Sequence, residues 1–392
     1  MKKGWEIKKL HQIGKVFNGN SINESIKKIK YTGLNEGFPY IATKDIGYDS
    51  IIDYENGVNI PVSEKEQFKV VPAKTPLICA EGGSAGRKIG FTNQNVCFGN
   101  KLFAIVPIKN IDSKFLYYYY FSNSFQKHFS SEMSGIIGGV SMNKFKDIEI
   151  PLPSLSEQQR IVSTLDSVFE VIDKAKVNTL QNLKNSKELF ESYLQNIFSS
   201  KGSALSLSKG EGWEEKRFDE ICVLQRGFDL PTHSRNEGIH PLVSSNGITD
   251  RIDLWKVKSP GVVTGRSGTI GNVHFIEEDY WPLNTALYIK EFHGNYERFI
   301  YFFLKQFDLG KYSSGAGVPT LNRNNVHSEM VYFPKSIKEQ KAIVQKLDSL
   351  STETKKLEEI YQQKLIDLEE LKKSLLEKAF KGELKTEKIE VV

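Results

Sequence analysis

The stretch "EQQRIVSTLDS" runs from Glu157 to Ser167, and "EQKAIVQKLDS" repeats it from Glu339 to Ser349. The second copy begins 182 residues after the first (339 − 157), and the match continues without a gap to "ELFESYLQNIF" and "ELKKSLLEKAF". Neither copy contains Gly or Pro, and apolar residues recur at spacings of three and four, which is the pattern of an amphipathic helix. The sequence therefore predicts two long helices of equal length.

A second repeat lies upstream of each helix at a different spacing. The stretch "GWEIKKLHQIGKVFNGN" starts at Gly4, and "GWEEKRFDEICVLQRGF" starts at Gly212, which is 208 residues later (212 − 4). Because this offset exceeds 182 by 26 (208 − 182), the first upstream region contains 26 more residues than the second. The chain therefore alternates between a compact region and a long helix, twice over.

The compact regions share a plan of short strands separated by glycine-rich turns. Each contains an apolar run followed by such a turn, "PLICAEGGSAGRKIGF" from Pro76 and "GVVTGRSGTIGNVHF" from Gly261. Short apolar runs bounded by Gly, Asn and Pro are typical of strands. The aromatic run Tyr117–Phe121 is interpreted as a helix packed on a sheet rather than as a stacking surface for bases.

These repeats predict an α+β fold with two β-rich domains. The two long helices separate the domains, and we expect them to pair antiparallel as a coiled-coil spacer with pseudo-two-fold symmetry. The expected boundaries are 1–154 for the first domain, 155–200 for the first helix, 201–211 for a linker, 212–335 for the second domain, 336–382 for the second helix and 383–392 for a tail.

Composition excludes several classes of protein and leaves others open. The net charge of +5 in 392 residues permits a polyanionic partner without requiring one. Three scattered cysteines, with no CxxC pair, favour a reducing compartment, and the chain is expected to be cytoplasmic, with no membrane association. No GxxxxGK[ST] loop, [DN]PP[YFW] segment or metal-ligand spacing of histidines is present, so neither catalytic residues nor metal ligands are predicted.

The doubled layout resembles the specificity subunit of type I restriction–modification enzymes over essentially the whole chain. The pieces that carry the resemblance are "PLPSLSEQQRIVSTLDS", "EQKAIVQKLDS", "KSLLEKAFKGEL" and the two "GWE" openings. The resemblance implies two target-recognition domains, each reading half of a split sequence in double-stranded DNA. It also implies two adenine methyltransferase subunits on the helices, joined by restriction/translocase subunits for cleavage. S-adenosylmethionine, ATP and Mg²⁺ are then expected in those partners, and no cofactor in this chain.

Candidate DNA contacts follow from residue type, because Arg and Lys read guanine or hold phosphates while Asn reads adenine. In the first domain the candidates are Lys44, Arg87, Lys88, Asn100, Lys101, Asn143 and Lys144. In the second domain they are Arg226, Arg235, Asn246, Arg251, Arg266, Ser267, Asn284, Asn322 and Arg323. The alternative for each is a solvated surface position, and for Arg87 and Arg266 a role confined to a glycine-rich turn.

Apolar residues off the main heptad suggest a surface for the partners. They form repeated pairs, and we expect them to lie either at the edge of the helix seam or in the methyltransferase docking face: Leu183, Leu194 and Phe198, with Leu365, Leu376 and Phe380. Two other functions stay open. One is a coiled-coil adaptor with two protein- or sugar-binding β domains, and the other is a stand-alone DNA-modifying enzyme.

Overall fold

The computed structural model describes residues 4–135, 138–198, 212–315 and 319–384. The chain divides into two compact units, unit 1 (Met1–Thr179 and Gln363–Val392) and unit 2 (Leu180–Gln362). Each unit therefore contains one β-rich region and a part of both long helices. The predicted linker 201–211 and nearly all of the predicted tail lie outside the described residues. None of the helices in the described ranges has the length and apolar character needed to cross a bilayer.

In its described residues, the β-rich region of unit 1 contains ten strands and five short α-helices. The strands are β1 (Glu6–Lys9), β2 (Gly14–Asn18), β3 (Phe38–Ile41), β4 (Asn59–Ile60), β5 (Val70–Val71), β6 (Pro76–Cys79), β7 (Ile89–Phe91), β8 (Val96–Phe98), β9 (Leu102–Pro107) and β10 (Glu149–Leu152). The helices are α1 (Leu10–Ile13), α2 (Glu24–Ile26), α3 (Ser113–Tyr119), α4 (Asn123–Ser131) and α5 (Met142–Asp147).

The first long helix, α6, spans Leu155–Phe198. The strands of unit 2 are β11 (Trp213–Arg217), β12 (Val223–Arg226), β13 (Glu237–Ser244), β14 (Gly247–Ile252), β15 (Gly261–Gly265), β16 (Val273–Ile276), β17 (Trp281–Pro282), β18 (Ala286–Glu291), β19 (Ser313–Ser314), β20 (Thr320–Leu321) and β21 (Met330–Pro334). Its short helices are α7 (Phe218–Ile221), α8 (Glu297–Gln306) and α9 (Arg323–His327), and the second long helix, α10, spans Ile337–Lys381.

Both units contain the same central sheet. Its four antiparallel strands lie in the order β2-β9-β6-β7 in unit 1 and β12-β18-β15-β16 in unit 2. A smaller sheet in each unit includes one parallel pair, β3 with β8 and β13 with β17. A two-stranded ribbon, β1-β10 or β11-β21, directly precedes each long helix. The two β-rich regions predicted from the sequence therefore share the topology of the central sheet, while in the described residues the smaller sheet has four strands in unit 1 and three in unit 2.

Aromatic side chains join each central sheet to the helices. The run Tyr117–Phe121 includes the end of α3, and Tyr119 and Tyr120 are fully buried, as expected for a packed helix. In unit 1 the same core includes Ile161 and Leu165 of α6 and Phe380 of α10. In unit 2 the equivalent core combines α8 with the end of α6 and the beginning of α10.

Ion pairs show that the long helices run antiparallel within unit 1. Lys176 of α6 pairs with Glu369 of α10, and Lys372 Nζ lies 3.1 Å from Asp173 Oδ1. The residue earlier in α6 thus pairs with the residue later in α10. The seam predicted from the heptads is confirmed, and it is shared with the short aromatic helices.

The motif "EQ" is repeated because its glutamine is buried at the start of each long helix. Gln158 and Gln340 are 1% and 0% exposed. The Oε1 of Gln158 accepts a hydrogen bond from Asp112 N (2.9 Å), and the Oε1 of Gln340 accepts one from Tyr296 N (2.8 Å). The side-chain nitrogen of each also donates to the carbonyl of a preceding proline. Each amide therefore ties a long helix to the start of an aromatic helix, since Asp112 and Tyr296 are the residues before α3 and α8.

The motif "LDS" supplies a second connection about two turns further along each long helix. Asp166 lies 2.8 Å from Lys114 Nζ and accepts a hydrogen bond from the Tyr118 hydroxyl. Asp348 takes a two-point hydrogen bond from Arg298 at 2.8–3.0 Å. Both basic partners are at the second position of an aromatic helix. The repeated residues of the opening stretch thus hold the same helix–helix contact in both units.

A half-buried histidine anchors the short helix α9 to the central sheet of unit 2. His327 Nε2 accepts a hydrogen bond from Leu224 N at 3.0 Å, so this nitrogen must be unprotonated. The imidazole stacks on Phe218 with ring centroids 6.2 Å apart. Burial lowers the pKa of His327, while the nearby Asp219 carboxylate partly opposes that shift.

The first prediction concerns the buried amides. Replacing Gln158 with alanine leaves Asp112 N without its acceptor, so the free energy of unfolding should fall by about 1–3 kcal/mol. Gln159→Ala is the matched control, because Gln159 is the next residue in the helix and is exposed. It should change stability by less than about 0.5 kcal/mol. Urea unfolding of both variants measures the difference, and equal effects would contradict the role of the motif.

The second prediction concerns pH. Because the folded-state pKa of His327 lies below its unfolded value, the unfolded chain takes up the proton first as pH falls. The stabilising contribution is complete above about pH 6.5 and is lost as pH falls from there through the folded-state pKa. His327→Gln should therefore give a flatter dependence of Tm on pH between about 7.5 and 5.5 than the wild type. His233→Gln, at an exposed position, should keep the wild-type slope, and an unchanged slope in His327→Gln would refute the assignment.

Candidate nucleic-acid interface

Three arginines meet at one end of the central sheet in unit 2. They line a cavity of about 320 Å³, which we call the arginine cavity, and its lining residues are Arg226, Arg266, Leu287, Ser314, Thr320, Leu321, Asn322, Arg323 and Asn324. Arg226 is the last residue of β12, Arg266 follows β15, and Arg323 is the first residue of α9. Four candidates that are far apart in sequence, the three arginines and Asn322, are thus brought together.

The main chain holds Arg266 firmly at the rim. Arg266 N donates to Thr285 O (2.9 Å), and Arg266 O accepts from Leu321 N (2.8 Å). The preceding Gly265 is required here, because a Cβ on it would lie 1.9 Å from Thr269 O. The glycine-rich turn is therefore structural, and the arginine that follows is presented from a rigid strand end.

The cavity concentrates positive charge with little compensation. Arg226 has one carboxylate neighbour, Asp229, at 3.4 Å, and Asp229 also accepts from the side chain of Asn284. Within the described ranges, the side chains of Arg266 and Arg323 donate to main-chain carbonyls, at 3.3 and 3.5 Å. Grouped guanidinium ions with free donors favour a phosphate or another group rich in acceptors.

Unit 1 contains a cavity at the equivalent place. It measures about 580 Å³ and is lined by Ala80, Glu81, Asn100, Lys101, Phe103, Ser134, Gly135, Gly138, Gly139, Val140 and Ser141. Ala80 makes main-chain hydrogen bonds equivalent to those of Arg266: Ala80 N donates to Lys101 O, and Ala80 O accepts from Val140 N, both at 2.9 Å. We call it the unit 1 cavity.

Four candidates of unit 1 lie at or beside this cavity. Asn100 and Lys101 line it, and Asn143 and Lys144 are exposed on α5, which Ser141 caps. Lys144 Nζ lies 3.0 Å from a carboxylate oxygen of Glu132. The structure therefore brings these four residues to one end of the unit 1 sheet.

Two of the other candidates of unit 1, Arg87 and Lys88, lie against an exposed tyrosine. Tyr48 is 64% exposed, and its ring lies 5.3 Å from Lys88 Nζ and 5.4 Å from the guanidinium carbon of Arg87. Arg87 also donates to Gly83 O, and the exposed Lys44 lies in the turn Thr43–Asp45. Sequence reasoning missed Tyr48, because a single aromatic residue in a polar turn gives no periodic signal.

Several candidates of unit 2 are already engaged by protein groups. Arg251 makes a two-point ion pair with Glu278 at 2.7 and 2.8 Å, which raises the pKa of the guanidinium. Arg235 donates twice to Leu230 O. Asn246 accepts from the Thr269 hydroxyl at 2.7 Å.

Ser267 and Asn284 flank the arginine cavity without lining it. Ser267 N donates to Thr285 O at 3.3 Å, and the Asn284 side chain donates to Asp229. DNA contact by Ser267, Asn284, Arg235, Arg251 and Asn246 stays a prediction.

The predicted partner surface on the long helices is largely core. Leu194, Leu376 and Phe380 are 2%, 5% and 6% exposed, so they present no surface to a partner. Phe380 packs on two aromatic rings of α3, and the half-buried Phe198 packs on Phe299 and another ring of α8. Of the two places expected for them, these four residues lie in the seam with the aromatic helices and not in a docking face, because a third helix covers the face that the heptad pattern left open.

The remaining two residues of that surface, Leu183 and Leu365, are half-buried, and a docking role for them stays a prediction. Among the residues that the structure describes, no group of three or more His, Cys, Asp or Glu side chains is arranged to hold a metal ion.

Comparison with known proteins shows which proteins this chain is similar to. The family model described as "Type I restriction modification DNA specificity domain" matches residues 2–185 and 210–366. The chain is 26% identical to the type I restriction enzyme MjaIX specificity subunit of Methanocaldococcus jannaschii, over 58% of this chain and 54% of that protein. It is 23% identical to the EcoBI specificity subunit of Escherichia coli, over 97% and 86%. It spans about half the length of the MjaIX and EcoR124I/EcoR124II relatives that it matches.

Solved structures share the fold. One chain, from a study of complex assembly and conformational transition of the type I R-M system, aligns with a TM-score of 0.76 at 16% identity, covering 98% of this chain and 99% of that one. The HsdS subunit from Thermoanaerobacter tengcongensis aligns with a TM-score of 0.65 at 18% identity, covering 98% of each chain. With both β-rich regions matched by one family model, the chain belongs to the type I restriction modification DNA specificity family.

Proposed function

We propose that this chain is the DNA-recognition subunit of a type I restriction–modification system and that it reads a bipartite site in double-stranded DNA. The observation that carries the proposal is the pair of equivalent cavities, built on the same sheet order in the two units and lined by different side chains. One scaffold used twice suits one type of ligand. Different lining residues suit two different half-sites, so the complete site is asymmetric.

The repeated helices support two copies of one partner. Leu189 of α6 and Leu371 of α10 are equivalent in the repeat (371 − 189 = 182), and they are 50% and 46% exposed. Exposed leucines at matching positions are suitable anchors for two identical subunits. We infer that these subunits are the adenine methyltransferases, and that restriction/translocase subunits join them for cleavage.

The chain is proposed to be non-catalytic by itself. Membership of the specificity family supports this, since the family model describes a DNA specificity domain. S-adenosylmethionine, ATP and Mg²⁺ would then be bound by the partner subunits, where methyl transfer, translocation and cleavage take place. This chain supplies the choice of DNA sequence.

The main test of the proposal exchanges one recognition unit. Replacing residues 212–335 with the matching region of a relative should change one half of the methylated sequence and leave the other half as it was. Mapping methylated adenines in cells that carry the methyltransferase subunits measures both halves. A change in both halves would refute the assignment of one half-site to each unit. If neither the wild type nor the exchange variant supports methylation or duplex binding, a coiled-coil adaptor of another kind becomes the better reading.

A further prediction concerns the exposed leucines. Leu189→Asp and Leu371→Asp should each weaken the binding of one methyltransferase copy by about tenfold or more, because a charge replaces an apolar anchor. The double variant should lose both copies. Mass measurement of the reconstituted complex counts the bound subunits, and Val177→Asp is the control, since Val177 is 66% exposed but Glu359 occupies the equivalent position. Full binding by the double variant would exclude this surface.

A further inference from the structure

The two cavities have the same main-chain framework. Arg266 and Ala80 occupy equivalent positions. The main-chain N of each donates to the residue directly before a strand of the central sheet, β18 or β9. The main-chain O of each accepts from the residue directly before a helix cap. Asn322 and Ser141 are those caps, at the starts of α9 and α5. Positions in the two units can therefore be compared one by one, although the sequences between the repeats diverge.

Each arginine of the unit 2 cavity has a different residue at its unit 1 counterpart. Arg226 pairs with Leu287, the second residue of β18, and Asn18 pairs with Phe103, the second residue of β9, so Asn18 is the counterpart of Arg226. Arg266 corresponds to Ala80, as its main-chain bonds show. Arg323 follows the cap of α9, and the residue that follows the cap of α5 is Met142. At all three positions where unit 2 has an arginine, unit 1 has a residue without a guanidinium group.

The exchange of side chains on a retained framework helps to distinguish contacts with phosphates from contacts with bases. Phosphates are alike along every duplex, so residues that only hold the backbone have no reason to change between two copies of one scaffold. Residues that read base edges must change when the two half-sites differ. The pattern of a retained framework with exchanged side chains therefore favours base reading over phosphate binding in this cavity.

The chemistry of the cavity selects the base. A guanidinium donates a fork of parallel N–H groups that matches the O6 and N7 acceptors of guanine in the major groove. Arg266 is half-buried, its main chain is held on both sides, and one N–H is spent on Asn284 O, so most of its five donors stay available. Arg226 is oriented by Asp229, and Arg323 lies at the rigid start of a helix.

We propose that the arginine cavity is the base-reading site of unit 2 and that Arg266 binds a guanine there, with Arg226 and Arg323 beside it. Unit 1 has Ala80, Asn18 and Met142 at the equivalent positions, so it offers no guanidinium fork to a base there. This inference rests on the proposed function and adds which residues decide one half-site and which base it contains.

The test uses the full chain assembled with its methyltransferase subunits. Arg266→Ala should relax one position of one half-site from guanine to any base, with a loss of discrimination of about 5- to 150-fold in competition over single-base variants. Arg266→Lys should relax the same position partly, because lysine keeps the charge and loses the fork. Arg217→Ala is the control: Arg217 belongs to the same unit, is exposed and pairs with Asp219, and both half-sites should stay unchanged.

Three other outcomes would overturn the inference. If Arg266→Ala weakens binding equally for every sequence and reduces the salt dependence, the residue holds a phosphate. If Tm falls while the half-site stays the same, the arginine serves the turn alone. If the relaxed position is in the half-site that an exchange of residues 212–335 leaves unchanged, the assignment to unit 2 is wrong. Failure of the proposed function is distinct, because the wild-type complex itself would then show no sequence-specific methylation.

Discussion

Two buried amide groups join the helical and the β-rich parts of this protein. Gln158 and Gln340 each satisfy the main-chain N–H at the start of an aromatic helix while lying in the first turn of a long helix. An unsatisfied N–H at such a buried helix end is costly, so the amide determines where the two helices meet. The aspartates of "LDS" add a second contact about two turns further along each long helix, and the aromatic core fills the space between helix and sheet.

The structure separates a constant framework from a variable surface. Both units have the same order of strands in the central sheet, a parallel pair in the smaller sheet, and a side-chain cap at the equivalent helix start, α5 or α9. The side chains that project into the cavities are different, and they lie at strand ends and in glycine-rich loops, where a change does not disturb the core. Such an arrangement allows the recognised sequence to change while the fold and the helices are retained.

The sequence predicted the repeated elements well, because they have strong periodicity and are written twice. The long helices and the antiparallel seam followed from apolar spacing, and the burial of the tyrosine run followed from its composition. The sequence left two places open for Leu194, Leu376 and Phe380, the edge of the helix seam or a docking face, and their burial against the aromatic helices favours the seam. Heptad spacing alone does not show that α3 and α8 cover a second face of the long helices.

The cavities could not be derived from the sequence, because Arg226, Arg266 and Arg323 are brought together only by strand pairing. Their equivalence to unit 1 positions depends on main-chain hydrogen bonds, such as those of Ala80 and Arg266, which any residue type can make and which the sequence therefore does not reveal. The exposed Tyr48 was missed because one aromatic residue in a turn has no period. Where the sequence is not repeated, three-dimensional contacts are needed to define the site.

The composition of unit 1 has a consequence for synthesis of the protein. Its core contains residues from near the beginning of the chain, such as Leu10, together with Leu376, Ala379 and Phe380 from near the end. A ribosome makes chains from the N-terminus at about 5–20 residues per second, so the first β-rich region waits tens of seconds for the helix segment that completes its core. During that interval the aromatic faces of α3 lack their last covering residues, which exposes apolar surface. Unit 2, whose segments lie between residues 180 and 362, can complete its core earlier, so the domain that begins first is the last to finish folding.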